Sequence, residues 1–315
     1  MERLDGGSAI PAHLAGGIVA LGNFDGFHLG HQAVVARAID QARAAGRPAL
    51  VATFDPHPVR HFAPDTAPFR LTTLDQRERL FAQAGADGMI VFHFDGALAG
   101  LTAEQFVRDR LVGLLRIGGV VTGEDFTFGK AKGGNSAVMA TLGGRHGFTA
   151  ATVGAVSLEG APVSSSRIRA ALRAGDPRAA ARLMTRPWEI EGPVQHGAKL
   201  GREIGYPTAN VELGNYLRPA YGIYAVRGRL PDGRRVDGAA NLGIRPSFDP
   251  PKELLEPYFF EFPGDLYGRR IGVELIEYLR PEAKFDTLAA LQAQMARDCD
   301  RARAILSRDG AQTGA

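Results

Sequence analysis

The chain has 315 residues, 45% apolar and 23% charged, with 37 Lys and Arg against 34 Asp and Glu. This composition excludes a disordered polyelectrolyte, shows no basic surplus that would demand a nucleic-acid partner, and at this length makes two domains the default. A single cysteine, Cys299, excludes an internal disulfide, no apolar run nears the roughly 20 residues of a membrane helix, and Met1-Glu2-Arg3-Leu4-Asp5 lacks the apolar core of a signal peptide, so a cytoplasmic protein without a membrane partner is expected.

Ile18-Val19-Ala20-Leu21 reads as a short buried strand, and Gln32 to Ala45 has apolar positions at helical spacing. Between them stands Gly22-Asn23-Phe24-Asp25-Gly26-Phe27-His28-Leu29-Gly30-His31, a strand-to-helix turn. Gly22, Gly26 and Gly30 let the backbone turn sharply and approach a ligand, and the free N–H groups of the new helix favour an anion beside His28 and His31. Two other readings of the histidines stay open here: metal ligands completed by His57 and His61, or polar residues of a surface turn.

Further strands are predicted at Ala49 to Phe54, Met89 to Phe94, Val120 to Gly123 and Ala150 to Val153, with helices between them. Two of those helices open with capping boxes, Thr73 with Gln76 and Thr102 with Gln105. The alternation predicts an α/β domain, a mainly parallel sheet with helices on both faces, whose ligands bind beyond the carboxyl ends of the strands. Two loops at such ends and one helix start carry polar chemistry. In Asp55-Pro56-His57-Pro58, His57 either holds a nucleotide or satisfies the loop's own backbone. In Gly123 to Asn135, Asp125, Phe126 and Phe128 offer a planar ring a stacking surface, unless the loop is merely solvated. In Ser164-Ser165-Ser166-Arg167-Ile168-Arg169, capping explains one serine, while three serines with Arg167 and Arg169 suit a polyphosphate.

A helix at Asp176 to Met184 closes this rhythm, and Thr185-Arg186-Pro187 is the natural boundary, giving domains 1–185 and 186–308 and a disordered tail 309–315. Beyond it, Ile223 to Gly228, Val236 to Asn241, Tyr258 to Phe262 and Ile271 to Leu279 are short extended runs joined by turns such as Pro231-Asp232-Gly233, which predicts an antiparallel barrel or sandwich. A long helix follows with Leu288, Leu291, Met295, Cys299, Ala302 and Leu306 on one face, so Cys299 reads as core packing rather than a nucleophile. Gly197 to Asn210 sets three glycines before Thr208 and Asn210, which share a face on an extended chain and suit Mg²⁺, or else belong to a plain turn.

Together these residues resemble the bacterial bifunctional riboflavin kinase/FMN adenylyltransferase family. His28 and His31 match its His-x-Gly-His motif, Ser164 to Arg169 its Ser-Ser-Thr-x-Ile-Arg motif with Ser166 in place of threonine, and Gly205 to Asn210 its Gly-x-Pro-Thr-Ala-Asn kinase signature. Tyr221 to Tyr224, Asn241-Leu242-Gly243, Asp265 to Gly268 and Leu279 to Phe285 match further. The resemblance implies a nucleotidyltransferase domain followed by a kinase barrel, with riboflavin, FMN and ATP as substrates, Mg²⁺ on Thr208 and Asn210, and flavin-requiring apoproteins as recipients of FAD. It implies ATP or phosphate contacts at Gly22, Phe24, Asp25, Gly26, Gly30, Ser164, Ser165, Ser166 and Arg169, and FMN contacts at His57, Asp125, Phe126 and Phe128. In the kinase it implies phosphate contacts at Gly197, Lys199, Gly201, Gly205, Pro207 and Asn241. Counting back nine residues from Asp265 puts the family's catalytic glutamate at Glu256, a position the residues alone would read as an ordinary exposed acid. The chain departs from the family pattern at Lys132 and Asn135, where the resemblance implies arginine and aspartate, and at Ala198 and Leu200, where it implies aspartate and arginine. Two alternatives follow: a nucleotidyltransferase for another phosphate, or a flavin-binding or regulatory homologue that has lost activity.

Overall fold

The computed structural model describes residues 1–196, 205–245, 252–262 and 264–313. They fall into two units, residues 1–67 with 72–165, and residues 68–71 with those from 166 onward. The first runs β1 (Glu2–Asp5), β2 (Ile18–Leu21), α1 (Leu29–Ala44), β3 (Ala49–Asp55), α2 (Pro58–Phe62), α3 (Leu74–Ala84), β4 (Gly88–His93), α4 (Gly96–Gly100), α5 (Ala103–Gln105), β5 (Gly119–Gly123), α6 (Ser136–His146) and β6 (Thr149–Val153), then a small hairpin of β7 (Ser157–Leu158) and β8 (Ala161–Pro162). A π-type helix, Phe106–Leu114, continues α5. Both predicted capping boxes form, at Thr73 and Thr102.

Six strands make one sheet in the order β1-β4-β3-β2-β5-β6, every pairing parallel. Each central strand buries both faces, which is why it reads as an unbroken apolar run. Val19, Leu21, Leu50, Ala52 and Phe92 pack with Phe106 and Leu111 on one side, while Ile18, Ala20, Val51 and Met89 pack with Val35, Ile39 and Phe81 on the other. The chain leaves β2 toward β3 on one flank, and β5 later pairs on the other, so the strand order reverses at β2. A crevice at the carboxyl end of such a strand is where open α/β sheets bind ligands, and the Asn23–His31 turn begins there.

The second unit contains most of α7 (Ser165–Arg173), then α8 (Pro177–Met184), β9 (Trp188–Gln195), β10 (Asn210–Glu212), β11 (Gly222–Arg229), β12 (Arg235–Arg245), β13 (Lys252–Phe259), β14 (Arg270–Arg280) and α9 (Leu288–Thr313). The last six strands close into a barrel, β10-β13-β12-β11-β14-β9, with antiparallel pairings throughout. Helix α9 covers one outer face, packing Cys299, Ala302 and Leu306 on Ala225, Ala239 and Ile276.

Where the sequence suggests a functional boundary at 185/186, the units divide at 165/166. Helices α7 and α8 are held within the second unit, by Ala220 N–H donating to the Leu172 carbonyl at 3.0 Å and by an ion pair of Arg178 with Glu277. Residues 68–71 are held there too, since the Trp188 indole N–H donates to the Leu71 carbonyl at 2.8 Å. The tail expected to be disordered from Asp309 instead continues α9 to Thr313, with Asp309 accepting from Arg227 Nη1 at 3.1 Å. That ion pair, made across the chain, is invisible in local composition.

Candidate functional site

The turn after β2 is built against steric preference. Phe24 and Phe27 adopt φ of +50° and +41°, where bulky side chains are rarely found, and Gly26 adopts +90°. Burial holds them in place: Phe24 and Phe27 are 1% and 5% exposed, and both rings meet Phe81 edge-on, at 5.7 and 5.2 Å. A side chain at Gly22 would put its Cβ 3.1 Å from the Phe24 ring, so glycine there lets the ring close over the strand end. Asp25 is buried, its carboxylate accepting from Thr72 N–H at 3.0 Å, while Gly26 N–H donates to Thr72 Oγ1 at 3.0 Å and Ser165 Oγ donates to the Asp25 carbonyl at 2.7 Å. Asp25, named from sequence as a phosphate contact, thus has its carboxylate turned into the scaffold.

His28 is the N-cap of α1, its Nδ1 accepting from His31 N–H at 3.4 Å. The two imidazoles stack with centroids 3.6 Å apart and planes 18° from parallel. A Cβ at Gly30 would approach the His28 ring to 3.3 Å, which keeps that position small. Two stacked imidazoles at the N-terminus of a 16-residue helix are an arrangement that favours an anion. In the neighbouring loop, Asp55-Pro56 is a cis peptide and His57 caps α2, accepting Val59 N–H at 3.2 Å. That satisfies the loop's backbone through Nδ1, one of the two roles open to His57 from sequence.

Of the aromatic loop, Phe128 is buried against Phe106 at 5.8 Å, Phe126 is half-buried with its ring stacked near Phe128 at 5.9 Å, and Asp125 is exposed. Asn135, one of the departures from the family pattern, caps α6 by accepting Val138 N–H at 3.0 Å, a role aspartate would fill equally. Lys132 is exposed, in the left-handed region at φ +56°. Ser164 and Ser165 are half-buried and Ser166 is exposed. Arg169, counted with the second unit, donates Nε–H to the Phe69 carbonyl at 2.8 Å and lies 5.2 Å over that ring.

Two clefts among the barrel's described residues bear on the site. One is lined by Thr208, Asn241, Glu256 and Glu282, and at its apolar end by Tyr258 and Cys299. The other is lined by Pro207, Thr208, Ala209, Asp265 and Tyr267, so Thr208 belongs to both. Strand register does the assembling: Asn241 of β12 is paired directly with Glu256 of β13. The Asn241 Oδ1 is buried without a hydrogen-bond partner among the described residues, a state that costs about 1–3 kcal/mol unless a donor or cation is supplied from elsewhere. Arg245, which sequence reasoning missed, joins the two acids of the cleft, pairing with Glu256 and with Glu282 at 3.1 Å. Only the side-chain contacts reveal it.

Asn210 opens β10, buried and paired with Gln195. Thr208 and Asn210 bear side-chain oxygens two residues apart, the ligand type a hard divalent cation takes; Thr208 shares a cleft with Asn241, while Asn210 is not among the lining residues of either cleft. Among the described residues no group of three or more His, Cys, Asp or Glu could hold a metal. Burial pushes the Cys299 thiol up to about 11, as suits a packing residue. Gly205 adopts φ +87°. Gly197, Lys199 and Gly201, with the departures Ala198 and Leu200, lie outside the described residues.

Residues 10–167 match the family model for FAD synthetase, and residues 184–306 that for riboflavin kinase. The bifunctional riboflavin kinase/FMN adenylyltransferase of Escherichia coli (strain K12) is 38% identical over 283 residues, covering 90% of each chain. The protein of the same name from Pseudomonas fluorescens is 39% identical over 94% of each chain, and that from Bacillus subtilis (strain 168) is 37% identical over 91% of this chain and 93% of its own. A crystal structure titled as a macrolide-efflux protein from Streptococcus pneumoniae aligns with TM-score 0.84 and 28% identity over 95% of this chain and 97% of that one. Among the described residues here, no helix is long and apolar enough to cross a membrane.

Proposed function

The chain belongs to the bifunctional riboflavin kinase/FMN adenylyltransferase family, and from that premise we propose which residues carry each of its two reactions. Its N-terminal domain is the FAD synthetase and its C-terminal domain the riboflavin kinase, with riboflavin, FMN and ATP as substrates.

In the kinase, Glu256 takes the proton of riboflavin's terminal hydroxyl as that oxygen attacks the γ-phosphorus of ATP; the bond to the β-phosphate oxygen breaks and ADP leaves. Arg245 orients the Glu256 carboxylate, and Asn241 accepts a hydrogen bond from the substrate side. The observation that supports this assignment is that Thr208 lines both clefts, one of them shared with Glu256; on this reading riboflavin lies in one cleft and ATP in the other, with Thr208 between them. Mg²⁺, held by Thr208 and Asn210, would neutralise charge on the phosphate oxygens.

In the adenylyltransferase, a phosphate oxygen of FMN attacks the α-phosphorus of ATP and pyrophosphate leaves, with no covalent enzyme intermediate. Both reactants are anionic, so the barrier is largely electrostatic. His28, His31 and the N-terminal N–H groups of α1 stabilise charge on the phosphoryl oxygens. Ser164, Ser165, Ser166 and Arg169 serve the polyphosphate; His57, Asp125 and Phe126 serve FMN. The proposed compartment is the cytoplasm, with flavin-requiring apoproteins taking up the FAD.

Incubation with riboflavin, ATP and Mg²⁺, followed by chromatography for FMN and FAD, tests the kinase assignment. Glu256→Gln is expected to lower FMN formation by about 10²–10⁴-fold and to leave FAD formation from supplied FMN within twofold. A variant that phosphorylates riboflavin at the parent rate would end the assignment of the base.

A further inference from the structure

We infer that Arg77 is a positioning residue of the adenylyl-transfer site. The inference rests on the reading that the Asn23–His31 turn carries that reaction. Arg77 lies one turn into α3 and is 3% exposed, an uncommon place for a guanidinium. Its Nη1 donates to the Asn23 carbonyl at 3.0 Å and to Thr53 Oγ1 at 2.7 Å, while Thr53 Oγ1 donates to that same carbonyl at 2.9 Å. Its Nη2 lies 3.9 Å from Asp55 Oδ1. The three bonds close a buried triangle joining the ends of β2 and β3, from which the phosphate turn and the Asp55-Pro56-His57 loop depart.

The same short segment grips the turn twice. Thr72 holds Asp25 and Gly26, and Arg77, five residues on, holds Asn23; the capping box at Thr73 fixes the helix start between them. Strained φ values at Phe24 and Phe27 mean the turn must be over-determined by its surroundings. Arg77 supplies that constraint at the point where the strand ends, together with a buried positive charge on the side of the sheet that receives two polyanions. Its Nη1 makes both bonds while Nη2 faces Asp55, a spread over two nitrogens that the single ammonium of lysine does not reproduce.

The test measures FMN adenylyltransferase and riboflavin kinase rates of the full chain carrying Arg77→Met, Arg77→Lys or His28→Ala. Arg77→Met is expected to lower the adenylyltransferase kcat about 100-fold, the effect of misplacing a catalytic group by about 1 Å, with KM for ATP and FMN within threefold and the kinase rate within twofold. Arg77→Lys is expected to recover part of that loss, to about tenfold below the parent. An Arg77→Met kcat within threefold of the parent, or a loss carried entirely by KM, overturns the inference. If Arg77→Met does not fold, Arg77→Lys and Thr53→Val decide: about tenfold lower kcat with unchanged KM supports the inference, and kcat within threefold in both overturns it. His28→Ala separates the two levels. If His28→Ala keeps its rate, the site reading falls and the inference with it; if His28→Ala fails while Arg77→Met runs normally, only the inference falls.

Discussion

The Asn23–His31 turn of the first unit and the Glu256 cleft of the barrel, the two proposed phosphate sites, hold their polar groups in opposite ways. The turn is one continuous stretch of ten residues, forced into left-handed φ at Phe24 and Phe27 and kept there by buried anchors: Phe81 beneath the rings, Thr72 on Asp25. The cleft has no such continuous motif. Thr208, Asn241 and Glu256 come from separate stretches of chain, brought together by strand register and by an arginine that spans two acids. A turn made this way stores its geometry in packing and tolerates little change. A site built from register keeps its backbone whatever the side chain, so its residues can be exchanged one at a time.

That contrast predicts the largest effect in the turn. His28→Ala with His31→Ala removes both stacked imidazoles and the side-chain N-cap of α1, and FAD formation from FMN is expected to fall by about 10³-fold, the scale of losing preorganised charge stabilisation. Riboflavin phosphorylation should stay within twofold in the same preparation. Equal loss of both activities would break the comparison, because it would mean that the turn supports the whole chain rather than one reaction.

The cleft is the place for a smaller change with a divided outcome. Asn241→Leu deletes a buried side-chain oxygen that has no hydrogen-bond partner among the described residues, so thermal stability should hold or rise, while kinase kcat/KM drops by about tenfold for the lost substrate hydrogen bond. Denaturation midpoints and steady-state kinetics on one sample read both. Stability and activity falling together would show that Asn241 supports the barrel and would erase the distinction drawn from register.

The two regions were also unequally legible. The turn's histidines, glycines and flanking strand are contiguous, so spacing alone marked a strand-to-helix turn that the structure bears out, and with it a candidate anion site, and the even apolar runs of a parallel sheet made its core strands readable within a residue or two. β1 escaped because Glu2-Arg3-Leu4-Asp5 is charged and mostly exposed; it forms only by pairing with β4 at the sheet edge. In the barrel a strand is expected at Tyr258 to Phe262, whereas β13 is Lys252–Phe259: Glu253 and Glu256 interrupt its apolar pattern, and one of them is the proposed base. β9 and β10 likewise carry few marks of their own. Glu256 was reached only through family resemblance. Arg77 and Arg245 could not be reached at all, since a lone arginine on a helix or strand reads as a solvated charge until its buried partners are known.

Asn135 gives the finest test, because it asks whether a departure from the family pattern touches chemistry or only local structure. The aromatic loop that precedes it is held at one end by the Phe128–Gly134 pairing, and Asn135 Oδ1 then accepts Val138 N–H to start α6. An N-cap to alanine change costs about 1 kcal/mol, so Asn135→Ala should lower the unfolding midpoint of the N-terminal domain measurably and alter adenylyl transfer less than threefold. Asn135→Asp restores the usual family residue and caps equally well, so both quantities should match the parent. If Asn135→Asp instead raises the adenylylation rate tenfold, the carboxylate acts on substrate or metal, and the loop joins the turn as a site tuned by single residues rather than one whose departures are absorbed by local hydrogen bonding.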